Sequence, residues 1–242
     1  MKLRPIPILM YHSIEKMPKS TVMRSLHVSP KRFGAQMWLL KMLGYKGLSI
    51  RELTPYLEGK QGKVVGITFD DGYQNNLKNA APILKKYNFS ATCYIVSQRI
   101  GAYNTWDLDK GIMQLPLMTT TQIKEWLNLG LDIGAHTQTH PLLENLSLKK
   151  AQEEIFNCKA ELEQIFKVSI KDFCYPYGRF NQEHTNILKE SGYNTATTMK
   201  RGRATYESNK LTLPRIPVTH HTLLHLFLAK IITKYEDKRK KN

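Results

Sequence analysis

Short apolar runs recur along the chain, and between them the apolar positions open out to the three-and-four spacing of helices. Residues 6–11 (IPILMY), 45–50, Val64-Val65-Gly66-Ile67-Thr68-Phe69 and 89–96 (FSATCYIV) read as buried strands. So do Leu131-Asp132-Ile133-Gly134-Ala135, Asp172-Phe173-Cys174-Tyr175, 193–199 and a last run leading into Arg215-Ile216-Pro217-Val218. Helices are predicted from Ser29-Pro30, an N-cap with proline in the first turn, through Met37, Leu40 and Met42 to near Gly44, then after Arg51 and over 74–87. Further helices run from Thr120 or Thr121 to about Asn128, over 147–166 with Ser147 as cap, and over 181–190 to Gly192. The last starts near 222 and runs into Lys238-Arg239-Lys240-Lys241. Strands and helices that alternate in this way, the strands apolar on both faces, signal a parallel sheet wrapped by helices, open or closed into a barrel. Residues 97–118, which carry Trp106, are an irregular insertion, and neither a repeat nor a linker divides the chain.

Polar clusters fall where these strands end: Tyr11-His12, Asp70-Asp71, His136 with His140, and Tyr175-Pro176-Tyr177-Gly178. In parallel α/β folds reactive groups gather at strand ends, and a charge flush against a buried strand is costly unless it is paired or binds a metal. Alone, H-x-x-x-H is usually a coincidental pair and D-D-G a plain turn. Together they supply one carboxylate and two imidazoles, one helical turn apart, the three-ligand set of an open hydrolytic metal site. The second carboxylate is left to deprotonate a water.

At these residues the chain resembles the polysaccharide deacetylases, the NodB-homology domain of carbohydrate esterase family 4. Thr68-Phe69-Asp70-Asp71-Gly72 is similar to the family's first signature, His136-Thr137-Gln138-Thr139-His140 to its second, and Phe173-Cys174-Tyr175-Pro176-Tyr177-Gly178 to its third. The opening Ile8-Leu9-Met10-Tyr11-His12-Ser13-Ile14 resembles a circularly permuted branch that includes the poly-N-acetylglucosamine deacetylases. The resemblance, over roughly residues 6–218, implies a distorted (β/α)7 TIM-like barrel. Residues 1–220 would form the catalytic domain and 221–242 a C-terminal amphipathic helix with a basic tail. It implies Asp70 as general base and Asp71, His136 and His140 as ligands of a divalent ion, zinc, with cobalt or nickel as alternatives. The backbone N–H of Tyr177 would hold the oxyanion, and His12 would be the general acid, because permutation moves the last motif to the front. The commoner third motif begins with an arginine that steadies the base. Here Phe173-Cys174 stands in its place, and Arg215 is the candidate replacement.

Composition narrows the partners. The 242 residues carry 36 Lys and Arg against 20 Asp and Glu, a net charge of +16, which favours a polyanionic or phosphate-linked glycan, phospholipid headgroups or nucleic acid. No nucleic-acid recognition motif is present, and nucleic-acid binding would leave the Asp/His constellation without a purpose. A catalytically dead glycan-binding relative is disfavoured by the complete Asp/Asp/His/His set, whereas a same-fold hydrolase of another amide stays open. The expected substrate is an N-acetylated glycan or a lipid- or phosphate-linked precursor, with peripheral contact to an anionic membrane and no specific nucleic acid. Cys93, Cys158 and Cys174 read as buried thiols of a reducing compartment. Met1-Lys2-Leu3-Arg4-Pro5 lacks an apolar run behind it, so the expected location is cytoplasmic, peripheral to the inner membrane face. His184, His220, His221 and His225 are expected on surfaces or helices, and Trp106 and Tyr103 as sugar-stacking rings or buried anchors. The stripe Leu223, Leu224, Phe227, Leu228, Ile231 is expected to pack on the barrel.

Overall fold

The computed structural model describes residues 4–239, so Met1-Lys2-Leu3 of the N-terminal reading and Lys240-Lys241 of the basic tail lie outside it. Eight parallel strands alternate with helices: β1 (Ile8–Tyr11), β2 (Lys46–Leu48), β3 (Val64–Phe69), β4 (Thr92–Ile95), β5 (Asp132–Ala135), β6 (Asp172–Cys174), β7 (Thr195–Arg201) and β8 (Leu213–Pro217). Seven of them close a ring in the order β1-β8-β7-β6-β5-β4-β3 and back to β1. The expected distorted (β/α)7 barrel is therefore what forms. The eighth strand, β2, shares an edge of β3 with β4: Gly66 pairs with both Ile8 and Leu48, so β1 takes one edge while β2 and then β4 take the other. Closure depends on β1, which lies parallel between β3 and β8 and brings the N-terminal strand to the middle of the site.

Side chains alternate across each strand. Leu9, Tyr11, Val65, Ile67, Phe69, Cys93, Ile95, Ile133 and Phe173 pack outward with the helices in one apolar cluster. Ile8, Val64, Tyr94, Cys174 and Leu213 form a second cluster. The opposite parity also carries buried Thr68, Thr92, Thr195, Thr197 and Arg215, so the barrel interior is unusually polar. Gly134 is required there: a Cβ would lie 2.6 Å from the Tyr94 ring and 2.7 Å from the Asp172 carbonyl oxygen.

The helices are α1 (Pro30–Met42), α2 (Ile50–Leu57), α3 (Ala81–Tyr87), α4 (Thr120–Asn128), α5 (Leu148–Phe166), α6 (Gln182–Glu190) and α7 (Leu224–Ile232). Ser29 and Ser147 cap α1 and α5 as their sequences indicate. Helix α4 departs from the expectation, for Thr119, not Thr120 or Thr121, is its cap and closes a reciprocal capping box with Gln122. The last helix stops at Ile232 and does not continue into the basic tail. Beyond it the fully buried Glu236 accepts from Arg201 Nε at 2.6 Å and Nη2 at 3.0 Å and also from Lys230, while Arg203 pairs with Asp237 at 2.7 Å. Glu236 thus ties the segment after α7 to the end of β7. Among the described residues no helix is long and apolar enough to cross a membrane.

Two acids open interior strands at the end of the barrel where those strands begin. Asp132 is paired with Arg51, whereas Asp172 is buried, accepts from Thr195 Oγ1 at 2.6 Å, and is pushed by burial up to a pKa of about 6. A carboxyl whose folded pKa lies above its unfolded value stabilises fully below the unfolded pKa and loses that contribution as pH rises through the folded one. The cost of this group should grow between about pH 4 and 6 and reach roughly 3 kcal/mol above that range. Asp172→Asn should therefore gain on the wild type by that order between pH 4 and 7 in denaturant unfolding. A difference that does not vary with pH would refute the assignment.

Candidate active site

The interior parity of the strands continues into the loops beyond their C-terminal ends. Positions 8 and 10 lead to His12, 64, 66 and 68 to Asp70, and 132 and 134 to His136, so all three side chains line one cavity of about 460 Å³. Asp71 has the wrong parity, but a left-handed backbone (φ 74°) turns it back into the same cavity. Seven non-glycine residues among those described have positive φ, and four of them, Asp71, Thr137, His140 and Tyr177, belong to this site. Such conformations cost about 1–3 kcal/mol each and persist only where the surroundings hold them.

Asp70 and Asp71 are adjacent, both nearly excluded from solvent, and neutralised differently. Asp70 faces a forked partner: Arg215 Nη1 donates to Oδ1 at 2.6 Å and Nη2 to Oδ2 at 2.8 Å. The same guanidinium donates to Thr198 O, Thr68 Oγ1 and Cys174 Sγ, which fixes its plane beneath the carboxylate. Burial alone would raise the Asp70 pKa, but the charge and hydrogen bonds of Arg215 outweigh it and hold the carboxyl below its ordinary range. On its open side His12 Nε2 lies 3.9 Å from Asp70 Oδ2, and His12 is the more exposed of the two.

Asp71 has no such cation. Its Oδ1 lies 3.4 Å from His136 Nε2 and 3.5 Å from His140 Nε2. A tetrahedral ion with ligand bonds of the usual zinc length holds its ligand atoms about 3.4 Å apart, so each imidazole stands at coordination spacing from Asp71, and all three donor atoms lie within 4.8 Å of one another. The His136 ring is oriented from behind, where Nδ1–H donates to the Cys174 carbonyl at 2.7 Å and leaves Nε2 facing Asp71 Oδ1. Burial pushes the His140 pKa down to about 3.

The two histidines do not sit on a helix, as their spacing suggests. Residues 136–140 form a turn in which Thr137 Oγ1 accepts the His140 N–H at 3.0 Å and donates to the His136 carbonyl at 2.6 Å. Glu154, on α5, clamps the outside of the turn by accepting from Gln138 N at 2.8 Å, Thr139 N at 2.9 Å and Thr139 Oγ1 at 2.6 Å. Trp106 of the insertion stacks on the His140 ring at 4.4 Å and Tyr177 meets it edge-on at 4.8 Å, while Tyr103 is exposed and lies outside the cavity wall. The Tyr177 hydroxyl donates to Asp107 at 3.1 Å. Sequence reasoning passed over Glu154 and Asp107, since neither belongs to a motif. The one sign of Glu154 is its place beside the buried stripe Ala151, Ile155, Cys158, Leu162.

The remaining histidines stay out of the cavity. His220, His221 and His225 do not line it, and His225 is exposed. His184 lies on helix α6, as expected, and is buried there, with Nδ1 accepting the Asn181 N–H at 3.2 Å in a capping box.

The polysaccharide deacetylase family model matches residues 58–196, more than half of the chain. The chain belongs to the polysaccharide deacetylase family. His12 and Arg215 lie outside the matched span, one on either side. YxkH of Bacillus subtilis (strain 168), named for its family as a polysaccharide deacetylase, is 32% identical over 88% of this chain and 71% of its own length. The poly-beta-1,6-N-acetyl-D-glucosamine N-deacetylase of Staphylococcus aureus (strain MSSA476) is 30% identical over 86% of this chain and 73% of its own. Among solved structures, the Streptococcus pyogenes deacetylase PplD in complex with acetate superposes with a TM-score of 0.83 at 28% identity, covering 95% of this chain and 99% of that one. This deacetylase is a hydrolase of a non-peptide carbon–nitrogen bond.

Breaking a buried ion pair by removing one partner costs about 3–5 kcal/mol. Arg215→Met should lose that much in denaturant unfolding of the metal-free protein, and adding Asp70→Asn should recover part of it. A single variant as stable as the wild type would mean that Asp70 has another counter-charge.

Proposed function

We propose that this deacetylase removes the acetyl group from an N-acetylhexosamine residue of a glycan or glycan precursor, with one divalent ion, zinc, held by Asp71, His136 and His140. The observation that carries this reading is the split fate of Asp70 and Asp71: one is forked to Arg215, the other faces two imidazole nitrogens at coordination spacing. The staphylococcal relative is named for a β-1,6-linked polymer of N-acetylglucosamine, and the streptococcal structure holds acetate, the acid such a reaction releases.

Bound zinc supplies Lewis acidity, polarising a carbonyl and lowering the pKa of water. The chain's own groups do the rest. Asp70, kept ionised by Arg215, accepts the proton of the attacking water. The backbone N–H of Tyr177, presented by its left-handed turn (φ 56°), donates to the carbonyl oxygen as it gains charge. His12, across the cavity, gives a proton to the departing nitrogen as the C–N bond breaks, leaving acetate and a free amine. Trp106 and Tyr177 confine the substrate beside His140.

Acetate release measured with added divalent metals over free, nucleotide-linked, lipid-linked and polymeric N-acetylhexosamines tests the reading. Silence across the panel, with metal bound, would overturn it. Asp70→Asn should lower turnover by about 10²–10⁴-fold. His12→Ala should keep its metal and lose most turnover, while His225→Ala stays near wild type. The reverse pattern for the two histidines would remove His12 from the role of acid.

A further inference from the structure

A second cavity, of about 530 Å³, lies behind the wall formed by Trp106, Lys110, His140 and Tyr177, which also line the first. Its lining contains Arg99, Lys110 and Arg179 and no carboxylate. Lys110 is neutralised by Asp107. The two arginines are not: among the described residues neither is recorded in an ion pair, Arg179 is exposed, and the half-buried Arg99 has its Nε–H buried without any hydrogen-bond partner. A buried donor left unmade costs about 1–3 kcal/mol, so it marks a place where a partner is missing.

The two guanidinium groups reach this cavity from different parts of the fold. Arg99 follows β4 and Arg179 follows β6, the strands on either side of β5, which His136 and His140 follow. They therefore flank the Trp106–His140 stack on the side away from His12. Because Trp106, His140 and Tyr177 line both cavities, a sugar held with its acetamide at the Asp71 end borders this one. The chain's excess of positive charge gives an anionic substrate a favourable approach, and planar guanidinium forks match the oxygen pairs of phosphate or carboxylate.

We infer that Arg99 and Arg179 form an anion-binding subsite, which receives a phosphate or carboxylate carried by the residue next to the one deacetylated. This rests on the deacetylase reading and narrows it to anionic glycans or glycan precursors. Arg99 and Arg179 are specificity groups, remote from the reacting atoms.

The test compares three oligosaccharides of N-acetylglucosamine: a neutral one, one with a phosphodiester next to the scissile residue, and one with a uronic acid there. Each is assayed with the zinc-loaded wild type and with Arg99→Gln, Arg179→Gln and the double variant. Charge-assisted hydrogen bonds of this kind should give the wild type about a tenfold or greater preference in kcat/KM for at least one anionic substrate. The preference should lie in KM, weaken with salt, and vanish in the double variant, whose kcat on the neutral oligosaccharide stays unchanged. Which anionic substrate is preferred identifies the group. In parallel, calorimetry should show N-acetylglucosamine 1-phosphate binding more tightly than N-acetylglucosamine to the wild type and equally to the double variant, a result independent of turnover. Acetate release without an anion preference, or a preference that survives in the double variant, would overturn the subsite and leave the deacetylase reading intact. Absence of turnover with the phosphate-dependent binding difference present would do the opposite.

Discussion

Two carboxylates side by side at the end of one buried strand are the constraint on which the site depends. Neither Asp70 nor Asp71 has appreciable contact with water, and an uncompensated buried carboxylate costs several kcal/mol. Asp70 is answered within the chain: the Arg215 fork neutralises it, and Thr68, Thr198 and Cys174 hold the fork in place. Asp71 is answered by two imidazoles standing off at 3.4 and 3.5 Å, too far for good hydrogen bonds and well placed to share an ion. The pair is thereby differentiated into a carboxylate forked to an arginine and one that faces two imidazoles, although their sequence environment is the same.

Several features of the fold serve this arrangement. Alternation along β1, β3 and β5 aims His12, Asp70 and His136 at the barrel axis, and the closure of the ring by β1 sets His12 against Asp70. Backbone strain is spent where alternation would fail, at Asp71 and in the His136–His140 turn. Glu154 and the Thr137 hydroxyl offset that strain from outside. On the far side of His140, Trp106 and Tyr177 form the partition between the two cavities, so one pair of rings borders both.

The barrel and the reactive end of it were legible in the amino-acid sequence because both rest on local patterns. Apolar runs give the strands, and polar residues immediately after such runs emerge at a common rim. The place of β2 was not legible, since so short a strand reads from sequence like any other of the barrel, and only pairing shows that it shares the edge of β3 with β4. The geometry of His136 and His140 was misread as a helical turn because i, i+4 spacing does not distinguish a helix from a turn held by Thr137 and Glu154. The fate of the C-terminal segment depends on Glu236 meeting Arg201, a pairing between residues 35 apart that no local pattern encodes. His184 likewise became a capping residue through a contact with Asn181.

The differentiation of the two carboxylates is tested most directly by zinc stoichiometry in wild type, Asp70→Asn and Asp71→Asn, measured by titration against a chelating indicator. The account predicts one tightly bound ion in the wild type, one in Asp70→Asn, and none of comparable affinity in Asp71→Asn. Equal zinc affinity in the two variants, or loss in Asp70→Asn with retention in Asp71→Asn, would contradict it.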